Sequence, residues 1–259
     1  MNKKMFMEER RNQILNSINN SGRVDVLEIA SEFNVSTATI RSDLNYLTNI
    51  GKINRTHGGA ITKKLTSIVE EEIPVIEKEN ICIEEKIKIA KAALELIEDK
   101  QNIFLDTSST VYQLAKLLHS KRELKMITNS VRIVQEISCG TDKELILIGG
   151  IFRKNSYATS GPSAMKMLDE FYVHTFFLGV SGIDLQNGVT VANIYEAEIK
   201  KKMVEKAQTV VVLADSSKFG KIGFINVAPL TNIDIIITNE ISEDYKNVLS
   251  RLGVKLIIV

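Results

Sequence analysis

Residues 26–47 have the sequence VLEIASEFNVSTATIRSDLNYL, and they predict two short helices joined by a tight turn. Apolar residues in its first third follow the i, i+3, i+4, i+7 spacing of one helical face. The predicted turn covers 34–35, and Ser36 stands at the N-cap position of the next helix. This next helix places its isoleucine and leucines on one inward face. Together with a preceding helix from about residue 8, the pattern predicts a small helical head.

The opposite face of the second of these helices is polar and suits the major groove of DNA. Small residues at its start allow close approach, its N-terminus favours a phosphate, and Arg41 can reach guanine or phosphate. Residues 52–60 end in Gly58-Gly59 and predict a short hairpin or wing, whose basic side chains are placed to contact the backbone or minor groove. The predicted DNA-binding residues are Ser36, Thr37, Ala38, Thr39, Arg41, Ser42, Asn45, Arg55 and His57.

The charge distribution agrees with a head that meets phosphates. Residues 1–64 carry ten Lys and Arg against six Asp and Glu, whereas residues 65–259 carry 23 against 26. A basic head on an acidic body is typical of nucleic-acid binding. The helical pattern is also compatible with a three-helix bundle that binds another protein.

From about residue 84, unbroken apolar runs of strand length alternate with helical stretches. This alternation predicts an α/β domain with a mostly parallel sheet covered by helices on both faces. The predicted strands are 103–105, 124–127, 145–148, 176–180, 210–214, 233–238 and 256–259. The predicted helices are 84–98, 109–119, 130–138, 161–170, 194–207 and 242–252. The polar segment between head and body predicts a linker, so the expected domains are 1–60, 61–82 (linker) and 83–259.

Small polar residues follow several of the predicted strands. Where a parallel strand ends and a helix begins, backbone N–H groups gather and favour an anion, so these residues predict one crevice at the carboxyl edge of the sheet. A lysine and a glutamate near other strand ends can complete a phosphate or sugar site. The predicted ligand-binding residues are Asp106, Thr107, Ser108, Ser109, Thr110, Thr128, Asn129, Ser130, Gly149, Gly150, Glu196 and Lys218. Ordinary capped turns, a solvated loop lysine and a carboxylate at a helix N-terminus would explain the same residues.

A resemblance to a known family covers nearly the whole chain. Val35–Leu44 (VSTATIRSDL) and Gly51–Ala60 (GKINRTHGGA) resemble the two halves of the helix-turn-helix motif of DeoR-family bacterial transcriptional regulators. Ser42 stands where the family usually has a second arginine, which removes a positive charge from the groove-facing side. The resemblance implies a winged helix-turn-helix and double-stranded operator DNA as partner.

The body is similar to the family's effector-sensing domain, which is related in fold to sugar-phosphate isomerases. The resemblance implies that Ser108, Ser109, Thr110 and Lys218 hold a phosphorylated sugar. Ser108 replaces a glycine that is common in the family, and its Cβ is expected to crowd a closely bound phosphate. The expected function is therefore a repressor of a sugar or polyol catabolic operon that responds to a phosphorylated sugar and acts as a homo-oligomer, a dimer or tetramer.

Other features narrow the remaining classes of function. Cys82 and Cys139 are the only cysteines, which argues against a disulfide framework or zinc site and suits a reducing cytoplasm. We expect no signal peptide, membrane span, metal or cofactor. The alternative is a sugar-phosphate isomerase-like enzyme with an accessory DNA-binding or protein-binding head. However, the stretch Gly179–Asp184 lacks the adjacent acids that the related isomerases carry, so no catalytic residues are predicted.

Overall fold

The computed structural model describes residues 7–21, 23–50, 52–56, 58–62, 67–69, 73–138 and 144–259. The chain forms two compact units, Met1–Thr66 and Ser67–Val259, which we call the head and the body and describe separately. Within the described ranges, no helix is both long enough and apolar enough to cross a membrane.

The head is a winged helix-turn-helix, as predicted. Its elements are α1 (Met7–Ser21), β1 (Arg23–Asp25), α2 (Val26–Glu32), α3 (Thr37–Asn49), β2 (Ile53–Arg55) and β3 (Gly59–Thr62). The strands form an antiparallel sheet in the order β1-β3-β2, so β2 and β3 are the predicted wing. Ile14, Ile18, Ile40 and Leu44 are fully buried, which shows that the apolar faces of α1 and α3 form its core.

The body contains a seven-stranded sheet in which every neighbouring pair is parallel. Its helices are α4 (Val75–Glu79), α5 (Ile83–Glu95), α6 (Ser109–Leu117), α7 (Val131–Ile137), α8 (Pro162–Leu168), α9 (Ile194–Lys206) and α10 (Glu243–Arg251). Its strands are β4 (Ser67–Val69), β5 (Asn102–Leu105), β6 (Lys125–Thr128), β7 (Glu144–Leu147), β8 (Ile151–Arg153), β9 (Ala158–Ser160), β10 (Val173–Gly179), β11 (Gly182–Asp184), β12 (Gly188–Val191), β13 (Ala207–Leu213), β14 (Lys221–Gly223), β15 (Ile225–Ala228), β16 (Ile235–Thr238) and β17 (Lys255–Ile258). The seven predicted strands and six predicted helices of the body are all present, with small shifts at their ends.

Alternating residues of the central strands pack into two separate cores. Phe104 and Phe176 face one core with helices α8, α9 and α10, whereas Leu105 and Phe177 face the other with α5, α6 and α7. Because successive side chains of a strand point to opposite faces, a sheet covered on both sides produces the unbroken apolar runs seen in the sequence.

The strand order is β17-β16-β13-β10-β5-β6-β7. From β5 the chain continues outward to β6 and β7, while β10 lies on the other side of β5 and leads to β13, β16 and β17. The order of the strands therefore reverses between β5 and β10. Ligands of open α/β sheets bind in the crevice outside the carboxyl ends of the strands at such a reversal.

The predicted linker differs from the structure at both of its ends. Residues 61–62 belong to β3 of the head, whereas β4 pairs in parallel with β14 of the body. Val75 is buried, and its N–H donates to the carbonyl of Asn155 at 2.9 Å. The polar composition suggested a linker, but backbone hydrogen bonds join this segment to the body regardless of side-chain polarity. We call β4 and α4 together the strap.

Short antiparallel pieces of the body were also not predicted. Strands β8 and β9 form a hairpin, and β11, β12 and β15 form a three-stranded sheet. These strands have three or four residues each and mix apolar residues with polar residues or glycine, so none of them shows the unbroken apolar run that marks the strands of the parallel sheet.

Candidate nucleic-acid interface and ligand cavity

The start of α3 is set by a turn and a side-chain cap. Asn34 has a positive φ of 50°, in the left-handed region that asparagine tolerates better than most residues. Ser36 then caps α3, because its hydroxyl accepts a hydrogen bond from the N–H of Thr39 at 3.1 Å. Both features were predicted from the sequence, and together they fix the position of α3 after α2.

The outward face of α3 is open to solvent. Ala38, Arg41, Ser42 and Asn45 are exposed, and Thr37 and Thr39 are half-buried beside the Ser36 cap. These are the residues predicted to approach DNA, and the structure brings them together on one side of the helix. Ser42 lies on this open face, where a longer basic side chain would meet no obstacle from the core residues on the opposite face.

An ion-pair cluster that the sequence did not reveal joins α1 to α3. Asp43 is only 1% exposed, and its two carboxylate oxygens accept from Nε of Arg10 at 2.6 Å and Nε of Arg11 at 2.8 Å. The Arg11 guanidinium also stacks over the Tyr46 ring. These two arginines therefore hold the head together, because a buried carboxylate needs cations nearby.

The wing is held close to β1. A Cβ on Gly59 would lie 1.9 Å from the carbonyl oxygen of Val24, so the glycine permits this approach. Arg55 donates from its guanidinium to the carbonyl of Gly59 at 3.0 Å and is half-buried. It thus supports the turn of the wing as well as lying on it. His57, the other predicted wing contact, lies outside the described residues.

In the body, a cavity lies at the carboxyl ends of β5, β10 and β13. It is bounded by the loop into α6, the end of β10, the loop after β13, helix α9 and the strap. Its lining residues are Ile73, Val75, Lys78, Ile81, Lys86, Thr107, Ser108, Ser109, Thr110, Asn155, Ser156, Gly179, Val180, Ser181, Glu196, Lys200, Lys218 and Lys221. The predicted Thr107–Thr110, Glu196 and Lys218 thus meet in one place, at the reversal of strand order.

Asp106 lies behind this cavity and holds its back wall. Its Oδ1 accepts from the N–H of Ser108 at 2.7 Å, and its Oδ2 accepts from the N–H of Gly179 at 2.7 Å. The side chain is almost fully buried. Its two oxygens therefore join the loops after β5 and β10, and Asp106 is not among the residues that line the cavity.

Lys200 connects this wall to α9. Its ammonium lies 2.7 Å from Oδ2 of Asp106 and 2.6 Å from Oε1 of Glu196, and it donates to the carbonyl of Gly179 at 2.6 Å. Burial alone would lower the pKa of Lys200, but the two carboxylates outweigh it and raise that pKa. Burial would raise the pKa of Glu196, but Lys200 holds it below its ordinary value. Both groups are therefore charged at neutral pH.

Ser108 uses its side chain inside the fold. Its hydroxyl accepts from the N–H of Val111 at 3.2 Å and caps α6. A Cβ on Gly179 would lie 2.0 Å from that hydroxyl, so Ser108 fills the space that a side chain at 179 would need. The serine that replaces the family's usual glycine thus packs toward β10 and also lines the cavity. Its crowding of a bound phosphate stays a prediction.

Ser109 and Thr110 stand in the first turn of α6 beside the cavity, where the helix N-terminus favours an anion. Lys218 lies across from them with its ammonium 3.8 Å from Oδ2 of Asp215, and it is partly exposed. The cavity thus combines hydroxyl groups, a helix N-terminus and an ammonium, which are the groups that bind phosphate oxygens.

Besides Asp106, five other predicted ligand-binding residues do not line the cavity. Thr128 Oγ1 donates to the carbonyl of Leu105, Asn129 donates to that of Thr159, and Ser130 caps α7. Gly149 and Gly150 are exposed in the turn before β8. The expectation of a single crevice along all strand ends is corrected here, because the side chains after β6 are used inside the fold, by bonds to β5, to β9 and to the start of α7.

Several lining residues were not predicted from the sequence. They come from the strap, from helices α5 and α9, from the β8–β9 turn, from the turn after β10 and from β14: Lys78, Lys86, Asn155, Ser156, Ser181, Lys200 and Lys221. Lysines within an amphipathic helix pattern resemble ordinary solvated lysines. Lys86 and Lys200 are each only 2% exposed, and this burial is not visible in the sequence.

Comparisons with known proteins cover both units. A family model described as the DeoR C terminal sensor domain matches residues 81–240, and one described as the DeoR-like helix-turn-helix domain matches residues 10–66. A putative aga operon transcriptional repressor of Escherichia coli O157:H7 is 33% identical over 97% of this chain and 93% of that protein. An L-fucose operon activator of Haemophilus influenzae is 32% identical over 90% of this chain and 92% of that protein.

Among solved structures, a D-ribose-5-phosphate isomerase in complex with phospho-erythronic acid resembles part of the chain. The match has 21% sequence identity and a TM-score of 0.41, and it covers 53% of this chain and 54% of the isomerase.

Proposed function

Because the chain belongs to the DeoR family of transcriptional regulators, we propose that it represses a sugar or polyol catabolic operon under the control of a phosphorylated sugar. It is a DNA-binding regulator with a sensor domain and not an enzyme, in keeping with relatives named as regulators. We propose further that it acts in the cytoplasm as a homo-oligomer, a dimer or tetramer, since paired heads match a repeated or palindromic operator.

The observation that carries the DNA-binding part is the open polar face of α3. Its core-facing side chains are fully buried, so the face with Arg41 is free to enter a major groove. In this proposal Arg41 reads a base or phosphate, Ser42 and Asn45 lie deeper along the groove, and Ser36 to Thr39 approach the backbone. Arg55 of the wing adds a phosphate contact, and we retain His57 as a second one.

The observation that carries the sensing part is the cavity at the reversal of strand order. We assign the phosphate to the first turn of α6, with the hydroxyls of Ser109 and Thr110 and the ammonium of Lys218 as partners. Glu196 lines the same cavity as a carboxylate and can accept hydrogen bonds from sugar hydroxyls. A ligand bound here regulates DNA binding only if it binds one state of the protein more tightly than another.

The DNA-binding proposal is tested with DNA upstream of the protein's own gene. We expect the affinity to fall steeply with salt, and Arg41→Ala to weaken binding and reduce the salt slope by about one. Arg122→Ala is the matched control, because Arg122 is an exposed arginine of the body. If Arg41→Ala bound DNA like the control across the salt range, α3 would not be the groove-binding helix.

The sensing proposal is tested by titrating phosphorylated sugars and the same sugars without phosphate, with melting temperature as the readout. Only phosphorylated ligands are expected to raise the melting temperature, because only the folded state holds the phosphate. We expect Lys218→Ala to lose most of this rise and Lys255→Ala, a change at an exposed lysine of β17, to keep it. Equal responses of the two variants would contradict the assigned role of Lys218.

A further inference from the structure

Lys86 is a buried lysine whose ammonium pairs with no carboxylate among the described residues. It lies in the first half of α5, is 2% exposed and lines the cavity. Its Nζ donates to the backbone carbonyl of Lys78 in α4. An ammonium has three donors, and a carbonyl can take only one of them at a time, so the remaining donors are available to a ligand.

The surroundings of Lys86 favour the arrival of an anion. Burial lowers the pKa of Lys86. The carboxylate of Asp215 raises this pKa in part, whereas the nearby ammonium groups of Lys218 and Lys78 lower it further. A buried cation next to other cations is costly unless an anion approaches, because the low-dielectric interior strengthens both repulsion and attraction. Lys86 and Lys218 border the same cavity, so one anion there can contact both.

The partner of Lys86 belongs to the strap. The Lys78 carbonyl also accepts from the N–H groups of Asn80 and Ile81, so it closes the last turn of α4. At its other end α4 is attached by the hydrogen bond from Val75 to Asn155. On its outer side, Glu79 forms an ion pair with Arg132 of α7. The contact from Lys86 thus attaches the last turn of α4 beside the cavity, as the bond from Val75 to Asn155 attaches its start.

We propose that Lys86 binds the ligand's anionic group with the donors that the Lys78 carbonyl leaves free, that the ammonium then moves toward the anion and gives up the Lys78 carbonyl, and that this loss loosens the last turn of α4. The proposal rests on the proposed function, since it takes the ligand's phosphate to lie at the start of α6. The strap follows the head directly along the chain. Loosening α4 therefore changes the segment of the chain that joins the cavity to the head. Empty and occupied states then differ in one hydrogen bond, which provides the differential interaction that a switch requires.

Amide hydrogen exchange on the full-length protein tests whether Lys86 gives up the Lys78 carbonyl. Inorganic phosphate is the probe, and chloride at matched ionic strength is the reference. Phosphate is expected to slow exchange in the first turn of α6 and to speed it at residues 80–81, where the N–H groups bond to the Lys78 carbonyl. Protection of α6 without faster amide exchange at 80–81 would show that Lys86 keeps the Lys78 carbonyl. That result would overturn this proposal and leave the proposed function standing. No protection of α6 would contradict both the role of Lys86 and the assignment of the phosphate to the first turn of α6.

Two variants on the same helix separate the role of Lys86 from a general effect on α5. Lys86→Met keeps a long side chain and removes the buried charge, whereas Lys88→Met changes an exposed lysine one half-turn away. We expect Lys86→Met to raise the phosphate midpoint about tenfold or more, since a hydrogen bond to a charged group is lost. It should also exchange quickly at 80–81 with and without phosphate. Lys88→Met should respond like the wild type. A normal midpoint in Lys86→Met would overturn the assignment of Lys86 as a ligand-binding residue.

Discussion

Ser42 and Asp43 are neighbours in α3 but have opposite environments. Ser42 is exposed on the outward face, while Asp43 is buried against Arg10 and Arg11. Adjacent residues of a helix are about 100° apart around its axis, so one can face DNA while the other faces the core. A change at 42 is therefore expected to alter DNA binding, and a change at 43 to alter the stability of the head.

Ser42→Arg restores the side chain that the family usually has at this position. Because Ser42 lies on the open face, the guanidinium is expected to reach a phosphate, tighten binding to the operator at low salt and steepen the salt slope by about one. Titrations at several salt concentrations measure this slope. Ser42→Ala adds no charge and should leave the slope unchanged, and a slope for Ser42→Arg equal to that of Ser42→Ala would place position 42 away from the DNA backbone.

At the scale of the element, helix α10 positions the loop that carries Lys218. The hydroxyl of Tyr245 donates to the carbonyl of Ile183 at 2.9 Å and accepts from the N–H of Gly220 at 2.9 Å. Burial raises the pKa of Tyr245 to about 12, so the hydroxyl keeps its proton at neutral pH and can act as donor and acceptor together. The N–H of Gly220 also donates directly to the carbonyl of Ile183 at 2.9 Å, so this bond and the hydroxyl together join the loop after β13 to β11.

Tyr245→Phe removes the hydroxyl from this junction without changing the shape of the ring. The N–H of Gly220 and the carbonyl of Ile183 each lose one partner but stay bonded to each other, so we expect the free energy of unfolding to fall by about 0.5 to 1.5 kcal/mol. Urea unfolding of the full chain measures it. Tyr172→Phe is the control, because Tyr172 is 72% exposed and its hydroxyl accepts a hydrogen bond from the exposed side chain of Lys206. A loss no larger than that of the control would show that the loop is held by other contacts.

The elements differ in how far local sequence predicts them. Strands β5, β6 and β13 were predicted because both of their faces are buried, which makes each an unbroken apolar run. Strand β4 lies within the predicted linker, because its place in the fold depends on backbone pairing with β14. Backbone pairing leaves no mark on side-chain composition, so a strand of three residues in a polar segment is not recognisable from sequence.

At the scale of the whole body, Lys200 joins three parts of the chain. It contacts Asp106 after β5, the carbonyl of Gly179 at the end of β10, and Glu196 on its own helix α9. Two carboxylates around one ammonium leave the cluster with a negative charge beside the cavity. The body is therefore expected to depend on pH through this cluster.

Acidification tests the cluster. Lys200 holds the pKa of Glu196 below its ordinary value of 4.5, so the folded state keeps this carboxylate ionised where the unfolded chain already takes up a proton. The stability that this provides is present above about pH 4.5 and is lost as the pH falls through the lower, folded pKa. We expect the free energy of unfolding of Glu196→Gln to fall less steeply than that of the wild type as the pH is lowered below about 4.5.

Urea unfolding at a series of acidic pH values gives this comparison. Glu198→Gln is the matched control, since Glu198 is an exposed glutamate of the same helix. It should follow the wild type. If Glu196→Gln and the wild type lost stability in parallel, the ion pair between Glu196 and Lys200 would not contribute to the pH dependence.

The sequence by itself determined the features that depend on neighbouring residues. These are the Ser36 cap, the amphipathic faces of the head, the alternation of strands and helices, and the polar loop at Thr107–Thr110. Helical and strand periodicity, capping and turns act within a few residues, so they are visible in a linear pattern. The resemblance to the DeoR family rested on motifs of the same kind.

Only the tertiary structure decided which charged residues are buried together. The partners of Asp43 are 32 and 33 residues away, and Asp106 and Gly179 are 73 residues apart. The fold brings them together through the packing of α1 on α3 and of β5 beside β10, and burial then strengthens the interactions between their charges. For the same reason Lys86 is an ordinary helix lysine in the sequence, and only the folded body places it between the cavity and the strap.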